Sequence, residues 1–285
     1  KKRLYGTTKP GSLLKNMIPV RTDFWDIHRP GFLEIDLVSH SGHCAAGDFI
    51  YTLNAVDIHT TWNEKEAVLG KSENAVVEGT RTIEARLPFD LKGIDSDNGS
   101  EFINDHLWSF CRHRPPHRKI QFTRSRPYKK DDNAHIEQKN GPQVRQIIGY
   151  DRYDSSKAQT LMNEIYADLR IMNNLFQPSM KLLKKIHKGS RIIRRYDKPR
   201  TAFQRVLECP QSNPRKVQAL KRIKESTDPF ILAERITQRL AVLFPLASKP
   251  KYGIKTAPNP NHPWRTFSFS KKLKRRKTVF KKCNI

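Results

Sequence analysis

The strongest indication of the fold is the run GFLEIDLVSH, residues 31–40. It is short and almost continuously apolar, which is typical of a β-strand buried on both faces. Such a strand needs neighbouring strands beside it and helices over both faces of the sheet. The run therefore predicts a layered α/β fold with this strand near the centre.

The segments that follow alternate between strand and helix patterns. In order, residues 29–178 predict three strands, a helix, a strand, a helix, a strand and two helices. The third strand, TTWNEKEAVLG (residues 60–70), is expected to be more exposed. The last helix, within residues 155–177, has the clearest apolar face, whereas Gly141-Pro142 should kink or break the helix before it. The predicted core is a mixed sheet with helices packed on it.

The composition divides the chain into five segments. Residues 1–28 are predicted to be a basic linker that follows a missing upstream domain, and residues 29–178 to be the core. Residues 179–208 are expected to form a small basic β unit or an extended arm, and residues 209–248 a helical segment. Residues 249–285 contain 12 Lys or Arg and no acid, so this tail is predicted to be disordered unless it meets DNA.

The net charge predicts the kind of partner. The chain has 54 Lys and Arg against 28 Asp and Glu, a formal charge of +26. So much like charge opposes compaction, so an anionic partner is expected, with nucleic acid as the leading candidate. A membrane surface comes second, since no apolar run approaches the ~18 residues of a membrane span, and a ribosome-like structural role stays open. Four widely spaced cysteines predict free thiols in a reducing compartment rather than a zinc site.

Three acidic residues lie where chemistry on a polyanion would need them. Asp36 is inside the apolar strand, where a lone carboxylate is costly unless a cation compensates it. Asp97 is expected at the end of a central strand, before Asn-Gly, and Glu137 about one turn into a helix. If the first and fourth strands are neighbours, these carboxylates converge. Their mutual repulsion predicts two bound Mg²⁺ ions, for which Mn²⁺ would substitute, and metal-dependent phosphoryl transfer.

Each of these acids also has a simpler interpretation. Asp97 is compatible with an Asx-turn, Asp36 with a buried ion pair and Glu137 with a solvated helix position. Glu101 and Asp132 are alternative candidates for the third carboxylate.

Neighbouring residues leave similar alternatives open. Asp95 shares a strand face with Asp97, so it is predicted to support that residue or to pair with a base. Asp57 is predicted to be a surface acid, and Trp62 either to pack in the core or to stack on unpaired bases. Three histidines could position a phosphate or form only structural hydrogen bonds: His40, His43 and His135.

The blocks EIDLVSH, IDSDNGSEF and RPYKKDDNAHIEQKN resemble the three catalytic blocks of the integrase core in retroviral integrases and bacterial insertion-sequence transposases. The resemblance spans residues 29–177 and is strongest to the bacterial transposases. It implies a ribonuclease H-like fold with an Asp-Asp-Glu triad, and the matching positions are Asp36, Asp97 and Glu137. The sequence does not contain the zinc-binding His/Cys pattern of the retroviral proteins.

The resemblance implies a DNA transposase or integrase that performs two steps at one site. Hydrolysis would cut a phosphodiester at the end of a mobile element, and the freed 3′-hydroxyl would attack target DNA. Asp36 and Asp97 would hold one metal ion, and Glu137 with Asp36 the other. A homo-multimer on DNA, in the bacterial cytoplasm or nucleoid, is also implied, and an ATPase helper stays open. The alternatives are a nuclease that cuts without joining and a domesticated, non-catalytic DNA-binding derivative.

Residues around the proposed triad are candidates for DNA contact. Helix positions that are often basic in retroviral integrases are Gly141 and Val144 here, so Lys139 or Arg145 is expected to make this contact. Tyr128 is a candidate for stacking on unpaired bases, and the basic run near the C-terminus for phosphate contact without base readout. The full set is Asn98, Arg126, Tyr128, Lys129, Lys130, His135, Lys139, Arg145, Lys271, Lys272, Lys274, Arg275, Arg276 and Lys277.

Overall fold

A computed structural model of the chain describes residues 18–20, 28–97, 99, 101–125, 136, 139–188 and 191–248. The strands are β1 (Phe32–Ser39), β2 (Ile50–Asp57), β3 (Asn63–Leu69), β4 (Gly93–Ser96), β5 (Gln121–Arg124), β6 (Leu182–Lys188) and β7 (Arg191–Tyr196). In this part of the chain, five strands form one sheet in the order β3-β2-β1-β4-β5. β1 is antiparallel to β2 and parallel to β4, so the sheet is mixed. The predicted α/β class and five-stranded mixed sheet are confirmed, and they are consistent with a ribonuclease H-like fold.

Helices cover both faces of this sheet. They are α1 (Glu73–Arg86), α2 (Asp105–Arg112), α3 (Gln146–Ile148), α4 (Ser156–Ile171), α5 (Ala202–Leu207), α6 (Pro214–Ser226) and α7 (Pro229–Leu243). α1 and α4 follow Ser72 and Ser155, whose hydroxyls each accept a hydrogen bond from the backbone amide three residues later. Each cap satisfies an amide that the first turn of a helix leaves unpaired.

The side chains of β1 alternate between two environments. Leu33 and Ile35 enter a hydrophobic core that also contains residues of α1, α2, α5 and α6. Glu34 and Asp36 point to the opposite face, because successive side chains on a strand alternate. A second hydrophobic core, with residues of α3, α4 and α7, covers part of that face. The acids of β1 therefore share one side of the sheet.

β3 is buried, although the sequence predicted a more exposed strand. α1 and α4 both pack against it, and its acids are paired with residues of these helices. Glu64 accepts hydrogen bonds from Arg170 Nε at 2.6 Å and Trp62 Nε1 at 2.8 Å, and Arg86 forms an ion pair with Glu66 at 2.9 Å. The prediction was wrong because cationic partners distant in sequence compensate the buried charges.

Asp57 is fully buried, so its prediction as a surface acid was also wrong. Its carboxylate accepts hydrogen bonds from the Gly31 amide at 2.8 Å, the Thr60 amide at 2.7 Å and the Thr60 hydroxyl at 2.6 Å. Burial raises the pKa of Asp57, while these hydrogen bonds act in the opposite direction. Asp57 therefore connects Thr60, in the β2–β3 turn, to Gly31, directly before β1.

The helical segment at 139–148 changes its geometry at Gly141-Pro142. A π-helical turn spans Gly141–Arg145 and continues directly into α3. Proline has no amide hydrogen, so an α-helical hydrogen bond is lost there, and a wider turn accommodates the loss. The α-helix is therefore interrupted, as predicted, without a break in the helical structure.

Segments outside the sheet pack into the same two cores. Phe203 of α5 lies in the core below α1, and Leu232 of α7 lies in the core below α4. The β6–β7 hairpin falls within the segment at 179–208, and α6 and α7 within the segment at 209–248. Ile18, in the stretch predicted to be a linker, is also buried in the first core.

Two further sequence expectations concern membranes and thiols. Within the described residues, no helix combines the length and apolarity that crossing a bilayer requires. Cys44, Cys111 and Cys209 are free thiols, as predicted. Cys283 lies outside the described residues.

Candidate active site

Asp36 and Asp97 lie near the carboxyl ends of two adjacent parallel strands. In the register of β1 and β4, Glu34 faces Asp95, and Asp36 and Asp97 follow two residues later on the two strands. The chain order of the sheet reverses between β1 and β4. Open α/β sheets bind ligands in the crevice at the carboxyl ends of the strands beside such a reversal.

Glu34 and Asp95 form the floor of this crevice and are fully buried. Oε2 of Glu34 accepts a hydrogen bond from the backbone amide of Ile136 at 3.1 Å. Oδ1 of Asp95 accepts one from the hydroxyl of Thr123, on β5, at 2.6 Å. These contacts connect β1 to residue 136 and β4 to β5, beneath the two half-buried aspartates.

Asp97 combines an Asx-turn with partial burial. Its Oδ1 accepts a hydrogen bond from the Gly99 amide at 2.9 Å, and among the described residues none reaches its Oδ2. Burial raises the pKa of Asp97, the Gly99 hydrogen bond lowers it, and the charge of Glu101 raises it. A desolvated carboxylate close to another carboxylate is stabilised by a cation. These hard oxygen donors fit Mg²⁺ or Mn²⁺.

Asp36 is held by a residue from the helical segment that begins at 139. Its Oδ1 accepts a hydrogen bond from the Leu37 amide at 2.8 Å, and its Oδ2 accepts one from Asn140 Nδ2 at 2.6 Å. Oδ1 of Asn140 in turn accepts a hydrogen bond from Asn54 Nδ2 at 2.7 Å. Asn54 faces Asp36 in the β1–β2 register, so one side chain links the helical segment to both strands.

Asn54 also begins a series of polar contacts that crosses β2 and β3. Asn63 Nδ2 donates to Oδ1 of Asn54 at 2.6 Å. Lys65 Nζ donates to Oδ1 of Asn63, and to Oε1 of Gln143 at 3.1 Å. Burial, followed by the charge of Lys139, lowers the pKa of Lys65 to about 7, although Glu64 opposes the shift. We call the set the polar row: Asp36, Asn140, Asn54, Asn63, Lys65 and Gln143.

Lys139 and Arg145 are the predicted DNA-contact residues that the structure describes. Lys139 is half-buried and lines a cavity beside the start of β3, and its pKa is lowered by burial and by the charge of Arg205. Arg145 donates to the carbonyl of Ser39 at 2.5 Å and to its hydroxyl at 3.3 Å. It thereby ties the π turn to the end of β1, and a contact of either residue with DNA stays a prediction.

Other predicted site residues lie outside the described part of the chain. Within the described residues, no group of three or more His, Cys, Asp and Glu side chains could hold a metal ion. The assignment of Glu137 as the third ligand therefore stays a prediction. The predicted residues outside this part are Asn98, Arg126, Tyr128, Lys129, Lys130, Asp132, His135, Glu137, Lys271, Lys272, Lys274, Arg275, Arg276 and Lys277.

The structure also bears on the histidines and on Trp62. His40 is fully buried, and its Nε2 is 2.8 Å from the Thr52 hydroxyl. Burial and then the charge of Arg145 lower the pKa of His40 to about 3, which fits the structural interpretation. His43 is exposed. Trp62 is buried, so its core-packing interpretation is confirmed and stacking on bases is excluded.

Sequence reasoning missed the residues that hold Asp36. Asn140 follows Glu137 by three positions, which on a helix is one turn and the same face. Asn54 interrupts an apolar strand, and Asn63 and Lys65 alternate on β3 with the acids that face α1. The available signal was Asn54, a polar residue within an apolar strand, whereas Asn63 and Lys65 gave no signal because their strand was expected to be more exposed.

Comparisons with known proteins place few limits on this site. No protein-family model matches the chain. An uncharacterized protein of Sinorhizobium fredii (strain NBRC 101917 / NGR234), y4rM, is 38% identical over 189 residues, which cover 66% of this chain. The match spans about half of that relative, 53% of its length.

A solved structure gives a weaker match. It is the cryo-EM structure of the simian T-cell lymphotropic virus intasome in complex with PP2A regulatory subunit B56 gamma. One of its chains is 14% identical, with a TM-score of 0.38 over 55% of this chain and 51% of that chain. A similarity at this level supports no functional conclusion.

Proposed function

We propose that this chain is a metal-dependent polynucleotidyl transferase that cuts DNA and joins the cut end to a target, as a transposase or integrase does. The observation that carries the proposal is the pair Asp36 and Asp97, which follow the facing residues Glu34 and Asp95 where the parallel pairing of β1 and β4 ends. Two such carboxylates at the reversal of a sheet form a site for a cation.

The donor set indicates which residues would hold the metal. Asp36 and Asp97 would share one divalent ion, and Glu137 with Asp36 a second. Glu137 lies between Ile136 and Asn140 in the sequence. These two residues form hydrogen bonds with Glu34 and Asp36 of β1, which supports this assignment. Bound Mg²⁺ would lower the barrier by activating the attacking oxygen and neutralising charge on the leaving oxygen.

The chain itself positions the carboxylates and attracts the DNA. The Gly99 amide fixes Oδ1 of Asp97, and Asn140 fixes Oδ2 of Asp36, so neither carboxylate has to be ordered when the substrate arrives. The net charge of +26 favours binding of the polyanion that supplies the phosphodiester. One phosphodiester replaces another in the joining step, so no ATP is needed for the chemistry.

The proposal is tested with a DNA duplex taken from the flanks of the coding region, as the candidate element end. Asp36→Asn and Asp97→Asn should abolish Mg²⁺-dependent cleavage and joining while DNA binding stays nearly unchanged. Asp105→Asn, which alters an exposed acid at the start of α2, is the matched control. Joining at the wild-type rate by Asp97→Asn would overturn the proposal.

Two further comparisons separate the alternatives. Glu137→Gln should abolish activity and Glu101→Gln should not, whereas the reverse result would assign the third carboxylate to Glu101. Cleavage without strand-transfer products would favour a nuclease of the same fold. Binding without cleavage in the wild type would favour a non-catalytic DNA-binding protein.

A further inference from the structure

A small polar cavity lies between the start of β3, residues 139–143 and the π turn Met172–Phe176. Its volume is about 90 Å³, which is room for roughly three water molecules or one tetrahedral oxyanion. None of the residues that line it is acidic. Its size and its wall suit a small anion better than an apolar ligand.

Two side chains in this wall present donors that have no partner among the described residues. Asn173 is 8% exposed, and its Nδ2 has no hydrogen-bond partner. Lys139 is half-buried, and within the described residues no carboxylate pairs with its ammonium group. Buried donors are almost always satisfied in folded proteins, so an unpaired amide that lines a cavity indicates an absent acceptor.

Further donors come from Gln143 and from the pair of hydroxyls on Thr61 and Ser179. Oε1 of Gln143 accepts a hydrogen bond from Lys65 at 3.1 Å, which leaves the amide NH₂ group for the cavity. The hydroxyls of Thr61 and Ser179 lie 3.1 Å and 3.4 Å from Nη1 of Arg205, which donates to both. The two hydroxyls also lie 3.3 Å from each other, where one donates to the other, so one of their two protons remains to be donated.

We propose that this cavity binds a single phosphate-sized oxyanion, with Lys139 and Asn173 as its principal donors. The charge of Arg205 acts on Lys139, and the charge of Lys139 acts on Lys65, and a bound anion offsets the repulsion among these cations. A phosphodiester of a nucleic-acid strand and free inorganic phosphate share this chemistry. The proposal does not depend on the catalytic role of Asp36 and Asp97.

The test is titration of the full chain with inorganic phosphate in a buffer that otherwise contains no phosphate. Calorimetry and the shift in melting temperature measure the binding. Chloride at matched ionic strength controls for screening. Wild type and Lys157→Gln, which alters an exposed lysine at the start of α4, should bind phosphate equally. Lys139→Gln should bind it about tenfold more weakly, because a charge-assisted hydrogen bond is lost.

Asn173→Asp is the second variant and keeps the size of the side chain. Its new carboxylate would neutralise Lys139 and repel the anion, so about tenfold weaker binding is again expected. Circular dichroism confirms that each variant is folded. If Lys139→Gln does not fold, Asn173→Asp still decides the question.

A short single-stranded oligonucleotide distinguishes the two sources of the anion. If it displaces phosphate, and binds more weakly to Asn173→Asp than to Lys157→Gln, the site takes a strand phosphate. If phosphate binding is weakened in Asn173→Asp but the oligonucleotide does not compete, the site takes free phosphate. The proposal is overturned if Asn173→Asp and Lys157→Gln bind both probes with the same affinity.

Discussion

The side-chain amide of Asn140 donates a hydrogen bond of 2.6 Å to Oδ2 of Asp36, across a separation of 104 residues. Its oxygen accepts a second hydrogen bond, of 2.7 Å, from Asn54. Asn140 thus fixes the carboxylate of β1 and is itself fixed by β2. The orientation of Asp36 depends on how the helical segment at 139–148 packs on the sheet.

Replacement of Asn140 should affect both stability and the candidate active site. Asn140→Ala leaves the amide of Asn54 without its acceptor, so the free energy of unfolding should fall by about 1–3 kcal/mol. If Asp36 holds a metal ion, the Mg²⁺ concentration needed for half-maximal cleavage should also rise. Urea unfolding and a Mg²⁺ titration measure the two effects. Gln146→Ala alters an exposed side chain of α3 and serves as the control, and equal effects of both variants would contradict the prediction.

Lys65 should make stability depend on pH in the alkaline range. Burial lowers its pKa from 10.5 to about 7 in the folded chain, so between these pH values the unfolded chain binds a proton that the folded chain does not. Stability should therefore rise as the pH increases from 7 to 10.5, with a contribution on the order of 5 kcal/mol from this one group.

The variant Lys65→Met lacks this titration. The difference in unfolding free energy between Lys65→Met and wild type should favour the variant most near pH 7 and least near pH 10. Denaturant unfolding at several pH values measures it, with Lys119→Met, an exposed lysine, as the control. A difference that does not change with pH would show that the pKa of Lys65 is not lowered in the folded chain.

His40 should produce a similar effect on the acid side. Burial and the charge of Arg145 lower its pKa from 6.5 to about 3 in the folded chain. As the pH falls, His40 is protonated in the unfolded chain before it is protonated in the folded chain. The contribution of His40 to the free energy of unfolding is therefore present above pH 6.5 and is lost as the pH falls towards 3. His40→Gln should flatten the acid dependence of the unfolding free energy, measured from pH 7 to pH 4. His43→Gln, at an exposed position, should retain it, and identical acid profiles would contradict the assignment.

Asp168 should control how α7 docks on α4. Its carboxylate accepts hydrogen bonds from Arg235 at 2.6 Å and 3.0 Å and a further one from Arg239. Asp168→Asn should lower the free energy of unfolding by about 1–3 kcal/mol and reduce amide-exchange protection in α7. Glu164→Gln, which changes a half-exposed partner of Arg239, should do much less. Unchanged protection in Asp168→Asn would show that apolar packing alone docks α7.

The sequence determined the order of strands and helices along the chain, because the local hydrophobic period distinguishes a strand from a helix. The apolar run predicted that Asp36 lies in a buried strand, and the Asn-Gly after Asp97 predicted the end of another strand, but the sequence left open whether the two strands are neighbours. The interruption at Gly141-Pro142 was also predictable, because it follows from a covalent property of proline, the missing amide hydrogen.

Only the tertiary structure decided which polar groups are buried. The pattern of β3 is that of an exposed strand, yet Glu64 is buried because Arg170 supplies its partner from α4. Asn140 and Asp36 meet only because the helical segment lies across the sheet. A polar side chain can be buried when a partner compensates its desolvation, and these partners lie about a hundred residues away in sequence, beyond any local pattern.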